Sequence, residues 1–212
     1  AMTETARAAF KACSILLQYP TDATFAALDD VDAIASSLPV RRGGRSLGRM
    51  VAWMRDTSPE TAAARYVETF DFDRRASLYL TYYAHGDTRD RGSALLALRA
   101  SYRAAGYEMC GDELPDYLPV MLELAALSDT GVRALDDHRA ALEALHTALR
   151  GRGNPYADAV DAVRAQLPRA TRRVVEAARR MAREGPPTEQ VGLEPFAPPE
   201  IVTGCAGCEG GA

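Results

Sequence analysis

The sequence predicts a single all-α domain, a compact multi-helix bundle, followed by an irregular C-terminal tail. Three observations carry that prediction. Apolar residues recur at helical spacing through most of the chain. Capping residues before these runs, and Gly or Pro after them, bracket most of the candidate helices. No stretch alternates apolar and polar residues as a half-buried strand does, and no Asn-Gly hairpin occurs.

Taken in order, Phe10, Cys13 and Leu17 share one helical face, and Pro20 stops that helix. Short helical segments follow around Phe25 and Leu28, then Val31 and Ile34, up to Pro39. Arg41-Arg42-Gly43-Gly44 reads as a loop or a weak helix start. Leu47, Met50, Val51 and Met54 form an amphipathic stripe. Ser58-Pro59 is an N-cap with proline at the first helical position, for a helix whose face carries Ala62, Tyr66 and Phe70. Leu78, Tyr79, Tyr82 and Tyr83 read as a short helix ending near Gly86.

Asp87-Thr88 caps a helix through Leu95, Leu98 and Tyr102, closed by Gly106. After a loop from Cys110, Pro115-Asp116 starts a helix through Leu118, Met121, Leu122 and Ala125, broken at Gly131. Val132, Leu135, Leu142, Leu145 and Leu149 predict one long helix ended by Gly151. Asn154-Pro155 opens another, with Val160, Val163 and Leu167; Val174, Val175, Ala178 and Met181 mark the last, closed by Gly185. Residues 186–212 hold five of the twelve prolines and five of the sixteen glycines, so the domain is expected over 1–185 and a tail over 186–212.

The chain has 212 residues, 47% hydrophobic and 25% charged, enough for one domain with a real core. Its net charge of −4 excludes a generally basic nucleic-acid binder and a strongly acidic disordered chain. No apolar run is long enough to span a membrane, so direct membrane insertion is not expected. The residues from Met2 to Arg7 lack the apolar core of a signal peptide, and Cys13, Cys110, Cys205 and Cys208 form no disulfide framework. The expected location is cytoplasmic. Lys11 is the sole lysine beside 24 arginines, and alanine supplies 39 positions; GC-rich coding explains both, so a single Arg carries little functional signal.

Catalytic patterns are sparse. His85, His138 and His146 form no zinc-binding pair, and His138 falls toward the polar side of its helix. No phosphate-binding Gly-rich loop follows a strand, and no G-x-S-x-G occurs. The acids Asp71, Asp73, Asp87 and Asp90 read as caps and turn residues, or as a metal cluster in a rival hydrolase reading. Cys205-Ala206-Gly207-Cys208 is a lone C-x-x-C in a Gly-rich tail, with no second ligand pair.

Binding features are stronger. Nine of fifteen aromatic residues lie between Tyr66 and Tyr117, including seven of the nine tyrosines. Tyr offers a large contact area with few torsions to freeze, which suits a recognition surface; core packing is the alternative for each. Residues 61–131 carry net charge −4, residues 132–184 carry +4 and residues 185–212 carry −4. An acidic, aromatic middle suits a basic amphipathic peptide. The Arg-rich stretch Arg169, Arg172, Arg173, Arg179, Arg180 and Arg183 is the opposite pole, read as a solvated face or a dock for the acidic tail. A transcription regulator would need a basic recognition helix, and residues 1–60 are net zero.

Two stretches carry a resemblance. Tyr66-Val67-Glu68-Thr69-Phe70-Asp71-Phe72-Asp73 with Tyr82-Tyr83-Ala84-His85-Gly86-Asp87-Thr88-Arg89-Asp90-Arg91-Gly92 is one. Glu113-Leu114-Pro115-Asp116-Tyr117-Leu118-Pro119, continuing to Leu122-Glu123, is the other. Together they resemble the delta subunit of respiratory nitrate reductase, the NarJ family of molybdenum-cofactor assembly chaperones within the wider TorD-like group. Leu16-Leu17-Gln18-Tyr19-Pro20 fits as well. Tyr117 stands where the wider group has His, as in the nitrate reductase branch. The resemblance covers about residues 8–185 and does not reach the tail.

It implies a non-catalytic, TorD-like chaperone, with no cofactor of its own, that binds the apo catalytic (alpha) subunit of nitrate reductase, including its N-terminal segment. The chaperone then assists cofactor insertion; molybdenum-cofactor biosynthesis proteins are further candidate partners, and a related molybdoenzyme is an alternative client. The expected client-binding residues are Tyr66, Phe70, Tyr79, Tyr82, His85, Asp87, Arg89, Glu113, Pro115, Asp116, Tyr117 and Glu123. Glu113, Asp116 and Glu123 are expected to pair with client cations; Asp116 has a second reading, as the cap of its own helix. His85 is read as a pH-sensitive contact or a loop residue bonded to a neighbour.

Overall fold

The structure is a computed structural model and describes residues 2–187. Cys205, Cys208 and the rest of the predicted tail beyond Pro187 lie outside the described residues. Among the described residues there are twelve α-helices, two 3-10 turns and no strand beyond one isolated bridge. The helices are α1 (Glu4–Leu16), α2 (Asp22–Ala26), α3 (Leu28–Ser37), α4 (Gly44–Arg55), α5 (Pro59–Phe70) and α6 (Tyr82–His85). They continue as α7 (Arg89–Ala104), α8 (Leu118–Leu127), α9 (Asp129–Asp137), α10 (Arg139–Gly151), α11 (Tyr156–Gln166) and α12 (Arg172–Glu184). The 3-10 turns are Val40–Arg42 and Arg74–Ala76.

Side-chain caps fix several starts. Thr3 Oγ1 accepts from the Ala6 amide, Ser58 Oγ from that of Thr61, and Thr171 Oγ1 from that of Val174. Pro59 sits in the first turn of α5 as its spacing predicted, because that position needs no amide hydrogen.

The core is organised around α1 and α8. Phe10, Cys13, Leu16 and Leu17 from the first helix and its end meet Leu118, Met121, Leu122 and Ala125, all at most 1% exposed. Ser14 Oγ donates to the Pro119 carbonyl at 2.9 Å, a buried bond that ties the two helices at their crossing. On the other side α1 packs on α3 and α11, and α11 packs on α4. The remaining layer is α8 on α9, then α10 between α11 and α12. Burial pushes the Cys13 thiol up to about 12, so it packs as a small apolar group. Among the described residues no helix is long and apolar enough to cross a membrane.

Four expectations change. Leu78–Leu80 is extended, and only Tyr82–His85 of that stretch is helical. Leu78 and Leu80 are buried while Tyr79 between them is half-buried, a period of two that the clustered tyrosines obscure. Helix α8 starts at Leu118 after Tyr117, so Asp116 is not its cap. The break after α8 is at Ser128, whose Oγ accepts from the Gly131 amide at 3.2 Å; Gly131 lies inside α9. The predicted long helix is two helices, α9 and α10, meeting at half-buried His138, whose Nδ1 lies 2.8 Å from the Ala134 carbonyl oxygen.

Gly131 has a packing reason to be glycine. A Cβ there would lie 2.2 Å from the Ala125 backbone nitrogen and 2.3 Å from the Leu124 carbonyl carbon. The α8–α9 corner closes only without a side chain. Between α4, α10 and α11 runs an ion-pair network. Arg49 bonds Asp158, Arg139 and Arg164 bond Glu143, and Arg164 reaches Asp161 at 2.9 Å. His146 lies within it, 3.5 Å from Asp161. Burial, together with the neighbouring Arg164, pushes its pKa down to about 4.

Two outcomes follow. Gly131→Ala should lower the unfolding free energy by about 1–3 kcal/mol, read from urea unfolding. Gly151→Ala, where a Cβ meets nothing within 4 Å, serves as the control. His146 is neutral in the folded protein and titrates near its ordinary 6.5 when unfolded. Its contribution is therefore full above pH 6.5 and is lost as pH falls toward 4. Glu143, where arginine hydrogen bonds outweigh the opposing effect of burial, loses its contribution only below its ordinary 4.5. Urea midpoints at intervals across the upper window should fall less steeply in His146→Gln than in the parent.

Candidate functional site

The chain between Phe70 and Leu118 is the least regular part of the fold, and it is held by a short antiparallel bridge. The Leu80 amide donates to the Asp116 carbonyl at 3.0 Å, and the Leu118 amide donates to the Leu78 carbonyl at 2.8 Å. This pairing sets Tyr79 opposite Tyr117, with ring centroids 5.2 Å apart. It also turns the Asp116 side chain inward.

Asp116 is fully buried. Its Oδ2 accepts from the Thr81 hydroxyl at 2.5 Å and the Thr81 amide at 3.2 Å, and lies 3.5 Å from an Arg91 nitrogen. Arg91 stands over the rings of Tyr79 and Tyr82, at 5.7 and 5.5 Å from their centroids. One arginine of α7 is thus gripped by two aromatic faces and a buried carboxylate. The Asp116 carboxylate faces the protein interior, where Thr81 and Arg91 are its partners.

The other expected residues separate into groups. Tyr66 and Phe70 come together around Tyr156, and Tyr117 joins them through Tyr66: Tyr66 lies 4.8 Å from Phe70 and edge-on to Tyr156 at 5.8 Å, and its hydroxyl lies 3.0 Å from that of Tyr117. Tyr19, half exposed, covers Tyr66 edge-on at 5.6 Å. Burial pushes the Tyr79 hydroxyl up to about 12 and raises those of Tyr66 and Tyr117, so all three stay neutral at physiological pH. Glu113 is exposed and receives the Tyr79 hydroxyl at 3.4 Å. Pro115 is buried, and its carbonyl accepts from the Tyr102 hydroxyl at 2.7 Å.

His85, Asp87 and Arg89 line the turn between α6 and α7, half-buried for His85 and exposed for the other two. Asp87 pairs with Arg74 at 3.7 Å. Gly86 in this turn has φ 55°, and a Cβ there would overlap the Pro187 carbonyl oxygen. The chain leaving α12 therefore passes directly over the turn. Asp73 bonds the Arg75 amide and pairs with Arg152, so this acid has a structural use. Among the described residues no group of three or more His, Cys, Asp or Glu could hold a metal.

Glu123 sits apart from these, on α8, paired with Lys11 at 2.6 Å. It edges a second feature that the sequence did not single out. Between α7, the 105–110 turn and α8 lies a cavity of about 260 Å³. Its apolar lining is Tyr102, Tyr107, Met109, Val120, Leu124 and Leu127, and its acids are Glu108 and Glu123. Leu127 is 63% exposed at its edge. Helix α7 is lightly held above this groove: of sixteen residues only Leu98 and Tyr102 are buried. A signal was present in the sequence, since Val120, Leu124 and Leu127 extend the apolar surface of α8 beyond what one core face needs.

The two signature stretches thus meet at Tyr117 and Asp116, and residues 36–162 match the family described as nitrate reductase delta subunit. The chain belongs to the nitrate reductase delta subunit family. It is 41% identical over 160 residues to the nitrate reductase-like protein NarX of Mycobacterium tuberculosis, covering 73% of this chain and 23% of that one. It is 38% identical over 149 residues to the nitrate reductase molybdenum cofactor assembly chaperone NarJ of Escherichia coli, covering 68% of this chain and 63% of that one. The matched region therefore spans less than two thirds of either relative. A crystal structure described as that of a redox enzyme maturation protein from Archaeoglobus fulgidus shares the fold, with a TM-score of 0.56 at 20% identity over 74% of this chain and 91% of that one.

The buried carboxylate gives a direct test. Asp116→Ala leaves Thr81 and Arg91 without their acceptor and should cost about 3 kcal/mol or more in urea unfolding. Asp116→Asn keeps an acceptor for Thr81 and should cost less.

Proposed function

We propose that this chain is an assembly chaperone for the catalytic subunit of nitrate reductase, with no catalytic chemistry of its own. Membership of the delta subunit family supports the chaperone role, and the groove between α7 and α8 carries the mechanism. In this reading the N-terminal segment of the client folds as an amphipathic helix along that groove. Its apolar face meets Tyr107, Met109, Leu124 and Leu127, and its basic residues meet Glu108 and Glu123.

The energetics fit a holder. Each well-buried Leu or Phe anchor contributes about 1.5–3 kcal/mol. Ordering the segment costs about 2–5 kcal/mol. Three or four anchors leave a moderate affinity that can be released when the client has received its molybdenum cofactor. The light packing of α7 lets the groove widen without disturbing the α1–α8 core. Tyr66, Phe70, Tyr79, Tyr82 and Tyr117 act one step removed, by fixing the loop that carries Glu113 and the start of α8. His85, Asp87 and Arg89 form the rim at the start of α7.

Calorimetry of the full chain with a synthetic peptide of the client's N-terminal segment tests this. One-to-one binding is expected, weakening as salt rises. Glu108→Gln together with Leu127→Asp, an exposed pair, should weaken it by about tenfold or more at unchanged thermal stability. Absence of binding at low and moderate salt overturns the groove reading. Binding preserved in the double variant moves the site elsewhere.

A further inference from the structure

Outside the α7–α8 groove, a second cavity of about 450 Å³ lies between the Val40–Arg42 turn, the start of α4, α10, α11 and the start of α12. Four arginines reach its wall, Arg41, Arg139, Arg164 and Arg169, against two acids, Glu143 and Asp161. The wall is therefore net +2 in a chain whose total is −4. The two acids are already engaged. Glu143 holds Arg139 at 2.8 Å and Arg164 at 2.7 Å, and Asp161 holds Arg164 and accepts from the Ser46 hydroxyl.

The arginines have donors to spare. Arg139 is 5% exposed, its Nε is spent on Glu143, and its Nη1 is buried without any hydrogen-bond partner. A charged donor left unsatisfied in the interior is costly and marks a missing acceptor. Arg41 and Arg169 face the cavity from the turn and from the approach to α12, exposed, and neither has a partner among the described residues. A guanidinium presents a planar fork that matches a tetrahedral oxyanion with two parallel bonds. Arg139 Nη2 donates to the Arg164 carbonyl, so its one free donor is Nη1. That donor and the two exposed forks of Arg41 and Arg169 on one cavity suit a multiply charged oxyanion better than a single carboxylate. The volume is in the range of small-molecule sites.

We infer that this cavity is a binding site for a phosphate-bearing small molecule, held by Arg139, Arg41 and Arg169. Arg139 supplies the buried anchor, tilting its free Nη1 toward the cavity. Arg41 and Arg169 close over the anion from the solvent side. Arg164 stays with Glu143 and Asp161 and keeps those acids from repelling the ligand. The site shares no lining residue with the α7–α8 groove and does not depend on client binding.

Calorimetry of the full chain with inorganic pyrophosphate, and with inorganic phosphate beside it, tests the assignment. Saturable one-to-one binding of pyrophosphate is expected, tighter than phosphate and weakened by salt. Arg41→Gln with Arg169→Gln should weaken it by about tenfold or more, each lost fork removing charge-assisted bonds. Both side chains are exposed, so the unfolding temperature should not move. Arg139→Lys keeps a charge beside Glu143 but loses the free Nη1 donor, and should weaken binding as well. No saturable binding at millimolar pyrophosphate overturns the proposal, as does binding unchanged in the double variant. If pyrophosphate has no effect while the double variant raises hydrogen exchange in residues 188–212, the basic face belongs to that acidic stretch and the small-molecule assignment falls.

Discussion

One buried carboxylate organises the irregular third of this molecule. Asp116 satisfies the amide and hydroxyl of Thr81 and anchors Arg91, so three segments distant in sequence meet on one side chain. Those segments are the end of the extended stretch before α6, the first turn of α7 and the residue pair that leads into α8. Beside that node, the loop from Phe70 to Tyr82 is fixed by the backbone pairing of Leu78 and Leu80 with residues 116–118, by Asp73 on Arg152, by the 3-10 turn Arg74–Ala76 against α10 and by the Tyr83 hydroxyl on the Arg75 and Ser77 carbonyls. A short, buried, charge-assisted hydrogen bond is strong because little water competes for it. The same burial makes the node unforgiving of loss of either partner.

Around that node the molecule divides into a densely packed part and a lightly packed one. The dense part is α1 against α8 with α11 and α4 behind, where most contacts are fully buried. The light part is α7, attached near its start through Arg91, through buried Leu98 and packing on α6 and α9, and near its end through Tyr102, whose hydroxyl bonds the Pro115 carbonyl. A helix with so small a buried face beside an apolar groove is suited to admit a partner helix. The acids at the rim, Glu108 and Glu123, then favour a cationic one.

The helical class, the core face of α4 and the proline start of α5 were legible because periodicity and capping are local signals. Leu47, Met50, Val51 and Met54 are all buried as their spacing requires. What failed was non-local. The extended pairing of Leu78–Leu80 depends on a partner segment at Asp116–Leu118, and a run rich in tyrosine hides its period of two. Asp116 reads as a cap because it follows a proline; its real partners, Thr81 and Arg91, are invisible to a local window. Gly131 reads as a helix breaker, whereas the constraint is the backbone of Leu124 and Ala125 against it. The signature residues were found by resemblance, but their division into a buried frame around Tyr66 and Tyr117 and a separate groove beside Glu123 needed the fold.

The turn at Gly86 has a topological consequence. Because Pro187 lies directly on it, the end of α12 and the first signature stretch are neighbours, although about a hundred residues separate them. The close of the last described helix is thus packed on the first signature stretch, so a side chain introduced at position 86 would disturb both at once.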